Sequence, residues 1–106
     1  MQYTLLLLMM LSPVVTLAAD MELSLRIKDH KFNPADVRVP AGKKIKLVVY
    51  NQDTGPEEFE SYELNREKII AGNSSTNIYI GPLEPGKYPF FGEFHEDTAQ
   101  GMIVVE

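Results

Sequence analysis

Apolar and polar residues alternate with a period of two along most of this chain. Leu23, Leu25 and Ile27 alternate with polar side chains, and the same spacing recurs at 37–39, 45–49 and 78–80, whereas 102–105 is a continuous apolar run typical of a final core strand. Proline and glycine separate these segments, most clearly in 40–42, 81–82 and 85–86. A period of two is typical of half-buried β-strands, and turn residues at such spacing mark strand ends. The pattern predicts seven or eight short strands.

No segment of the chain after residue 19 has the spacing of a long helix. Residues 63–70 fit neither pattern well, because Leu64 suits a helical turn whereas Ile69 and Ile70 suit a strand. We interpret this segment as irregular, with a short strand near its end. Many short strands without helices predict an all-β Greek-key β-sandwich made of two sheets.

The first 19 residues are unlike the rest, because they contain no charged side chain. A continuous apolar run, Leu5–Leu11, is followed by small residues that end at Ala19, which is typical of a secretory signal peptide cleaved after Ala18 or Ala19. The alternative is an uncleaved membrane anchor, but the run is short for a span of about 20 residues and Pro13 interrupts it. We therefore expect a signal peptide at 1–19, one domain at 20–106 and a periplasmic protein.

Composition excludes several classes of function. The 106 residues carry a net charge of -5, which argues against nucleic acid as a partner. There is no cysteine, so a disulfide framework, an iron–sulfur cluster and a blue-copper centre are excluded. Residues 51–106 hold eleven acidic against three basic side chains. Such an acidic half can bind a cation or a basic partner, or can simply be a solvated surface.

The chain has only two histidines. His30 lies between polar neighbours at a strand end, and we interpret it as a solvated loop residue. His95 follows an aromatic strand and precedes a loop that contains two acidic residues. At the rim of a sandwich, an imidazole in that position can bind a metal ion.

The sequence around His95 resembles the end of a cupredoxin domain. Residues 83–90 read L-E-P-G-K-Y-P-F, like the hairpin that precedes the copper-binding loop of that family. Gly92 stands at the family's Cys position, and His95 and Met102 stand at its His and Met positions. Upstream, Glu57 replaces the first His ligand, two residues before Phe59. The resemblance covers nearly the whole chain after residue 19 and implies a cupredoxin-like fold, but two of the four copper ligands are changed.

The acidic segment 57–60, the motif Arg66-Glu67 and the segment 92–95 are similar to the cupredoxin-like components of bacterial Ftr- and Efe-type iron-uptake systems. Those periplasmic domains accompany an iron permease and are thought to bind iron or copper. Efe-type members can carry cysteines where this chain has Phe32 and Gly92, so it looks closer to the Ftr type. The resemblance implies partners among periplasmic iron-uptake components and the inner-membrane permease.

The candidate ligands fall into two sets. If Phe59 lies in the core, Glu57 points to the buried face near His95, while Glu58 and Glu60 point outward. We expect a metal site built on His95 and Glu57 and assisted by Glu58, Glu93 and Met102. Glu58 and Glu60 with Glu67 are candidates for a second surface cation site, or serve only solubility. Met102 is either a soft ligand or a core residue, and replacing His30 is expected to change metal affinity little.

Imidazole and carboxylate donors suit ferrous, ferric or cupric ions rather than copper(I). The principal hypothesis is therefore a periplasmic accessory protein of iron transport that binds iron or copper and assists oxidation or delivery, without being an enzyme in its own right. The alternatives are a metal-free interaction module that docks through its acidic face, and an electron-transfer protein.

The leader predicts export and cleavage. Mass spectrometry of the periplasmic fraction of an expressing bacterium is expected to find a chain that begins at Ala19 or Asp20, because signal peptidase cuts after small residues. A full-length, membrane-bound product would contradict this interpretation.

Overall fold

The computed structural model describes residues 19–106, and it contains nine β-strands and one short 3-10 turn in that range. The predicted signal peptide lies outside the described residues, apart from Ala19. No helix in residues 19–106 is long and apolar enough to cross a membrane. The strands are β1 (Met21–Lys28), β2 (Lys31–Asn33), β3 (Asp36–Val39), β4 (Ile45–Asn51), β5 (Glu57–Ser61), β6 (Arg66–Ile70), β7 (Ser74–Ile80), β8 (Gly86–Phe91) and β9 (Gln100–Val105), and the 3-10 turn is Glu93–His95.

These strands form two sheets. One has the order β2-β1-β4-β7, and the other has the order β3-β9-β8-β5-β6. β1 runs parallel to β4 and β3 runs parallel to β9, whereas the other neighbouring pairs are antiparallel. The apolar face of each sheet packs against the other, which confirms the predicted all-β sandwich.

The strand count differs from the prediction in one place. β2 is only three residues long and buries a single side chain, Phe32, so it shows no alternation that a sequence pattern can reveal. The structure also defines the bounds of two strands more closely than the sequence did. The irregular segment 63–70 ends in the five-residue strand β6, and β8 stops at Phe91, before the 3-10 turn that carries His95.

An aromatic cluster fills the core at the end of the sandwich where β5 begins. The rings of Phe59 and Phe90 stack with centroids 4.9 Å apart, and the ring of Phe32 meets Phe90 edge-on at 4.9 Å. Phe59 is 0% exposed, and truncating such a ring to alanine costs about 3–5 kcal/mol. Because Phe59 is two residues from Glu57 and Phe32 two residues from His30, this cluster supports the segments that carry both residues.

Two loops pack backbone to backbone beside that cluster. The buried Asn51 side chain donates from Nδ2 to the carbonyl oxygens of Gly55, Ile70 and Ala71, at 2.9, 3.0 and 3.2 Å. A side chain at Gly72 would put its Cβ 1.9 Å from the carbonyl oxygen of Thr54. The loop between β4 and β5 is thereby held against the loop between β6 and β7.

This contact gives a test of the fold. Gly72→Ala is expected to lower the free energy of unfolding by about 2 kcal/mol or more, because the added methyl group meets main-chain atoms that no rotamer change can move. Gly55→Ala is the matched control, since no atom lies within 4 Å of its Cβ position. Urea unfolding of both variants measures the difference, and equal stability of the two would refute the proposed contact between the loops.

Candidate metal site

One buried carboxylate lies between the two histidines of the chain. Glu57 is 1% exposed, and its two oxygens face different imidazoles. Nδ1 of His30 lies 2.6 Å from Oε1, and Nδ1 of His95 lies 3.2 Å from Oε2. The two imidazoles stack on each other with centroids 3.5 Å apart and planes 16° from parallel.

Three separate elements bring these side chains together. Glu57 is the first residue of β5, His30 lies in the two-residue turn between β1 and β2, and His95 ends the 3-10 turn after β8. Loops gather at one end of a sandwich, so residues far apart in sequence converge there. The predicted meeting of His95 with the Glu57 segment is what the structure shows.

The structure places His30 against Glu57 and His95, a contact that its interpretation as a solvated loop residue did not include. Its side chain is 49% exposed, as expected for a loop residue, but Nδ1 contacts Glu57 and the ring covers His95. The sequence neighbours of His30 are polar, so no local pattern pointed to this contact. It arises because the end of β1 lies beside the start of β5, although the two strands belong to different sheets.

Neighbouring carboxylates change the pKa of the His30 imidazole. The hydrogen bond to Glu57 raises the pKa of His30; burial opposes this, and the negative charges of Glu57, Asp53 and Asp29 add to it. Burial raises the pKa of Asp53, but the N–H groups of His30 and Asp29 that donate to its carboxylate, together with Glu57 and the charge of His30, lower it by more, so the pKa is lowered overall. The end of the sandwich therefore holds negative charge close to two imidazole rings.

A second cluster lies on the other face of β5. It consists of four carboxylates that each place an oxygen within 4.8 Å of the others, namely Glu58, Glu60, Glu67 and Glu93. Glu60 and Glu67 are direct neighbours across β5 and β6, an arrangement that is unfavourable for two like charges. Among residues 19–106, no basic side chain lies within ion-pair distance of any of the four.

Glu58 and Glu60 are buried, which corrects the expectation that they project into solvent. They do alternate with Phe59 and so lie on the outer face, but they are only 1% and 7% exposed. The 3-10 turn lies against β5, and the N–H of Glu93 donates to Oε1 of Glu58 at 2.9 Å. Burial, opposed by that hydrogen bond and assisted by the neighbouring carboxylates, raises the pKa of Glu58 from 4.5 to about 7.

The structure also separates the predicted ligands. Glu58 and Glu93 belong to the acidic cluster, and Glu93 also lines the cavity beside His30 and His95. Met102 lies on the outer face of its sheet, because its neighbour Ile103 is fully buried, and it is neither a core residue nor a lining residue of the cavity beside His95. Its side chain instead lines a separate cavity with Tyr62, Pro89 and Phe91 among others.

Gly92 has no room for a side chain. A Cβ there would lie 2.8 Å from the carbonyl oxygen of Glu58, 3.0 Å from the Cβ of Ala99 and 3.8 Å from the ring of Phe32. Phe32 and Gly92, the two positions at which the resemblance places cysteines, are thus neighbours in space. Apolar packing occupies that part of the end of the sandwich, and the donor atoms lie at His30, Glu57 and His95.

These three residues suit a transition-metal ion. Each offers one ligand atom within 4.8 Å of the other two. Two imidazoles and one carboxylate, without sulfur, favour iron, copper(II) or zinc, and two histidines with one carboxylate are the ligand set of many non-haem iron sites. The absence of a cysteine is incompatible with a blue-copper centre.

Sequence comparison agrees with this architecture. The model of the family described as "Cupredoxin-like domain" matches residues 2–105. The chain is 54% identical over 85 residues to the uncharacterized protein RP394 of Rickettsia prowazekii (strain Madrid E), covering 80% of this chain and 68% of that protein.

Solved structures with the same fold include two copper proteins. Auracyanin A, a "blue" copper protein from Chloroflexus aurantiacus, is 12% identical with a TM-score of 0.69, over 80% of this chain and 98% of that one. The metal binding domain of the Cu(I) exporting ATPase CopA of Streptococcus pneumoniae D39 is 15% identical, also with a TM-score of 0.69, over 86% of this chain and 91% of that one. At these identities the likeness shows the fold alone.

The buried glutamates predict an unusual pH dependence of stability. The unfolded chain releases the Glu58 proton near pH 4.5 and the folded protein near pH 7, so raising the pH between these values favours unfolding. The raised pKa of His30 acts in the same direction. The free energy of unfolding of metal-free protein is expected to fall between pH 5 and pH 8, by on the order of 2 kcal/mol from Glu58.

Urea titrations at several pH values measure this slope. Glu58→Gln is expected to flatten it, whereas Glu84→Gln, which alters an exposed loop residue, is expected to leave it unchanged. A wild-type protein whose stability rises between pH 5 and pH 8 would contradict the assignment.

Proposed function

The chain belongs to the cupredoxin-like domain family, and we propose that it is a periplasmic protein that binds an iron or copper ion through His30, Glu57 and His95 as an accessory of iron uptake. The observation that carries the proposal is the buried Glu57 carboxylate facing two stacked imidazoles. The family fold indicates a metal-binding or electron-transfer role, and the copper-binding proteins that share it support a metal ion as the ligand.

The chemistry of the three side chains supports an ion at this position. A carboxylate only accepts hydrogen bonds, so the two Nδ1 atoms that face Glu57 donate N–H in the metal-free protein. A metal ion takes neutral imidazole nitrogen and ionised carboxylate, so it competes directly with these protons. Affinity therefore decreases as the pH falls through the titration range of histidine.

A bound iron or copper ion would supply one-electron chemistry, which is what assistance to iron oxidation requires. The protein's part is to hold the ion at an accessible end of the sandwich, where the His30 side chain is 49% and the His95 side chain 36% exposed. Such exposure suits transfer of an ion or an electron to a partner. An inner-membrane iron permease and other periplasmic iron-uptake components are the partners that this role implies.

The acidic cluster supports a second, weaker cation position. Glu58 and Glu60 are buried beside Glu67 and Glu93 without a basic partner among the described residues, so their charge is balanced by protons or by a cation. Carboxylate oxygens favour hard ions such as ferric iron or calcium. Glu60→Gln is expected to weaken binding at this position and leave affinity at His30, Glu57 and His95 unchanged, as measured by titration with iron and with copper(II).

Substitution of the histidines tests the principal site. His95→Ala is expected to reduce the affinity for copper(II) by about tenfold or more, because it removes a ligand, and Glu57→Gln is expected to act similarly. His30→Ala is also expected to weaken binding, which reverses the expectation from sequence. Isothermal titration at pH 7 of these variants, with Glu84→Gln as the control, measures the change.

Equal affinity in wild type and both histidine variants would overturn this assignment. It would move metal binding to the acidic cluster, or leave a metal-free module that docks through its acidic face. An iron permease encoded beside this protein would support the role in iron uptake, whereas a dedicated electron-transfer operon would favour the alternative of an electron carrier.

A further inference from the structure

Asp53 contacts the candidate site without belonging to its ligand set. Its carboxylate, 14% exposed, accepts two backbone hydrogen bonds from the turn between β1 and β2. The N–H of Asp29 donates to Oδ1 at 2.8 Å, and the N–H of His30 donates to Oδ2 at 3.0 Å. One side chain from the loop after β4 thus holds both residues of a turn that is 23 residues distant in sequence.

The turn that carries His30 has a demanding backbone conformation. Asp29 and His30 have φ angles of +52° and +59°, in the left-handed region that residues other than glycine adopt at a cost in energy. Two such residues in a row form the tight turn of a two-residue hairpin. Because His30 is one of the two residues of this turn, the direction of its imidazole toward Glu57 depends on the backbone conformation of the turn.

Asp53 is itself held from two sides. Its own N–H donates to Oδ1 of Asn51 at 2.9 Å, and its carbonyl oxygen accepts the N–H of Asn73 at 2.9 Å. Asn51 is 2% exposed and is anchored by three backbone carbonyls. Because Asp53 is held in this way, it can fix the position of the turn residues that it hydrogen-bonds.

We propose that Asp53 is a positioning residue that clamps the turn at Asp29 and His30 and thereby aims the His30 imidazole at Glu57 and His95. The consequence for metal affinity rests on the proposed function, whereas the placement of the ring does not. Asp53 acts through His30, both by holding the turn and because its Oδ2 lies 3.6 Å from Nδ1 of His30.

The first experiment uses the metal-free protein. In Asp53→Ala, amide exchange at Asp29 and His30 is expected to accelerate at least tenfold, and the nuclear Overhauser contact between the two imidazoles is expected to disappear. Asp53→Asn keeps one acceptor oxygen and a similar shape, so it is expected to show a smaller change in a folded protein. Asp20→Ala is the matched control. The Asp20 carboxylate also accepts a backbone N–H, that of Lys44, but Lys44 lies before the start of β4, whereas Asp53 follows the end of β4.

The second experiment measures copper(II) affinity in a double-mutant cycle. Asp53→Ala is expected to reduce affinity about 10- to 100-fold, the range found when supporting residues of metal ligands are removed. In a His30→Ala background the same substitution is expected to have less than a twofold effect, because the group that it positions is gone.

The two experiments separate failure of this inference from failure of the proposed function. Imidazoles that stay in contact in Asp53→Ala, or a loss of affinity that is undiminished in the His30→Ala background, would overturn the positioning role. Loss of the imidazole contact with copper(II) affinity unaffected by both His30→Ala and His95→Ala would overturn the proposed site and leave the structural role of Asp53 standing.

Discussion

The carboxylate of Glu57 is buried at the end of the sandwich, and the arrangement around it follows from the need to satisfy its charge there. An isolated buried carboxylate costs several kcal/mol, so it requires donors or cations on both oxygens. Here each oxygen faces an imidazole, and both imidazoles come from turns that lie outside β5. The aromatic cluster beneath β5 keeps Glu57 in place, and the loops that Asn51 and Gly72 hold together keep the facing turn in place.

Two adjacent residues of β5 give the protein two different clusters. Glu57 and Glu58 point to opposite faces, as neighbours in a strand must. The 3-10 turn repeats the same division, because Glu93 joins the acidic cluster and His95 joins the histidine pair. One short strand and one turn therefore contribute to both clusters, which His30 from the β1–β2 turn and Glu67 from β6 complete. The two clusters differ in their donor atoms, and they share a backbone that links their positions.

The fold was predictable from sequence because alternation and turn residues mark strands directly. The same alternation places Glu57 on the inner face of β5, whereas the position of His95 came from the resemblance to cupredoxins. Applied to β9, alternation would also have placed Met102 on the outer face, opposite to Ile103 and Val105. The part of the candidate site that the sequence did not predict depends on contacts between segments that are distant in sequence. His30 joins the site only because the β1–β2 turn lies beside the start of β5 in three dimensions.

The burial of Glu58 and Glu60 was likewise not predictable from their sequence neighbours. Two glutamates on the outer face of a strand are normally solvated, and Phe59, the apolar residue between them, points to the opposite face. Glu58 is covered by the 3-10 turn, which lies more than thirty residues later in the sequence and donates the N–H of Glu93 to the Glu58 carboxylate. Charge alone therefore indicated an acidic surface, whereas burial of Glu58 and Glu60 depends on tertiary packing.

X-ray absorption spectroscopy of the copper(II)-loaded protein identifies the donor atoms and so tests whether the ion lies at His30, Glu57 and His95. We expect the multiple scattering of two imidazole rings together with carboxylate oxygen and no sulfur, since Glu57 lies between His30 and His95 and Met102 faces away. A spectrum with oxygen scatterers alone, or with a sulfur ligand, would contradict this expectation.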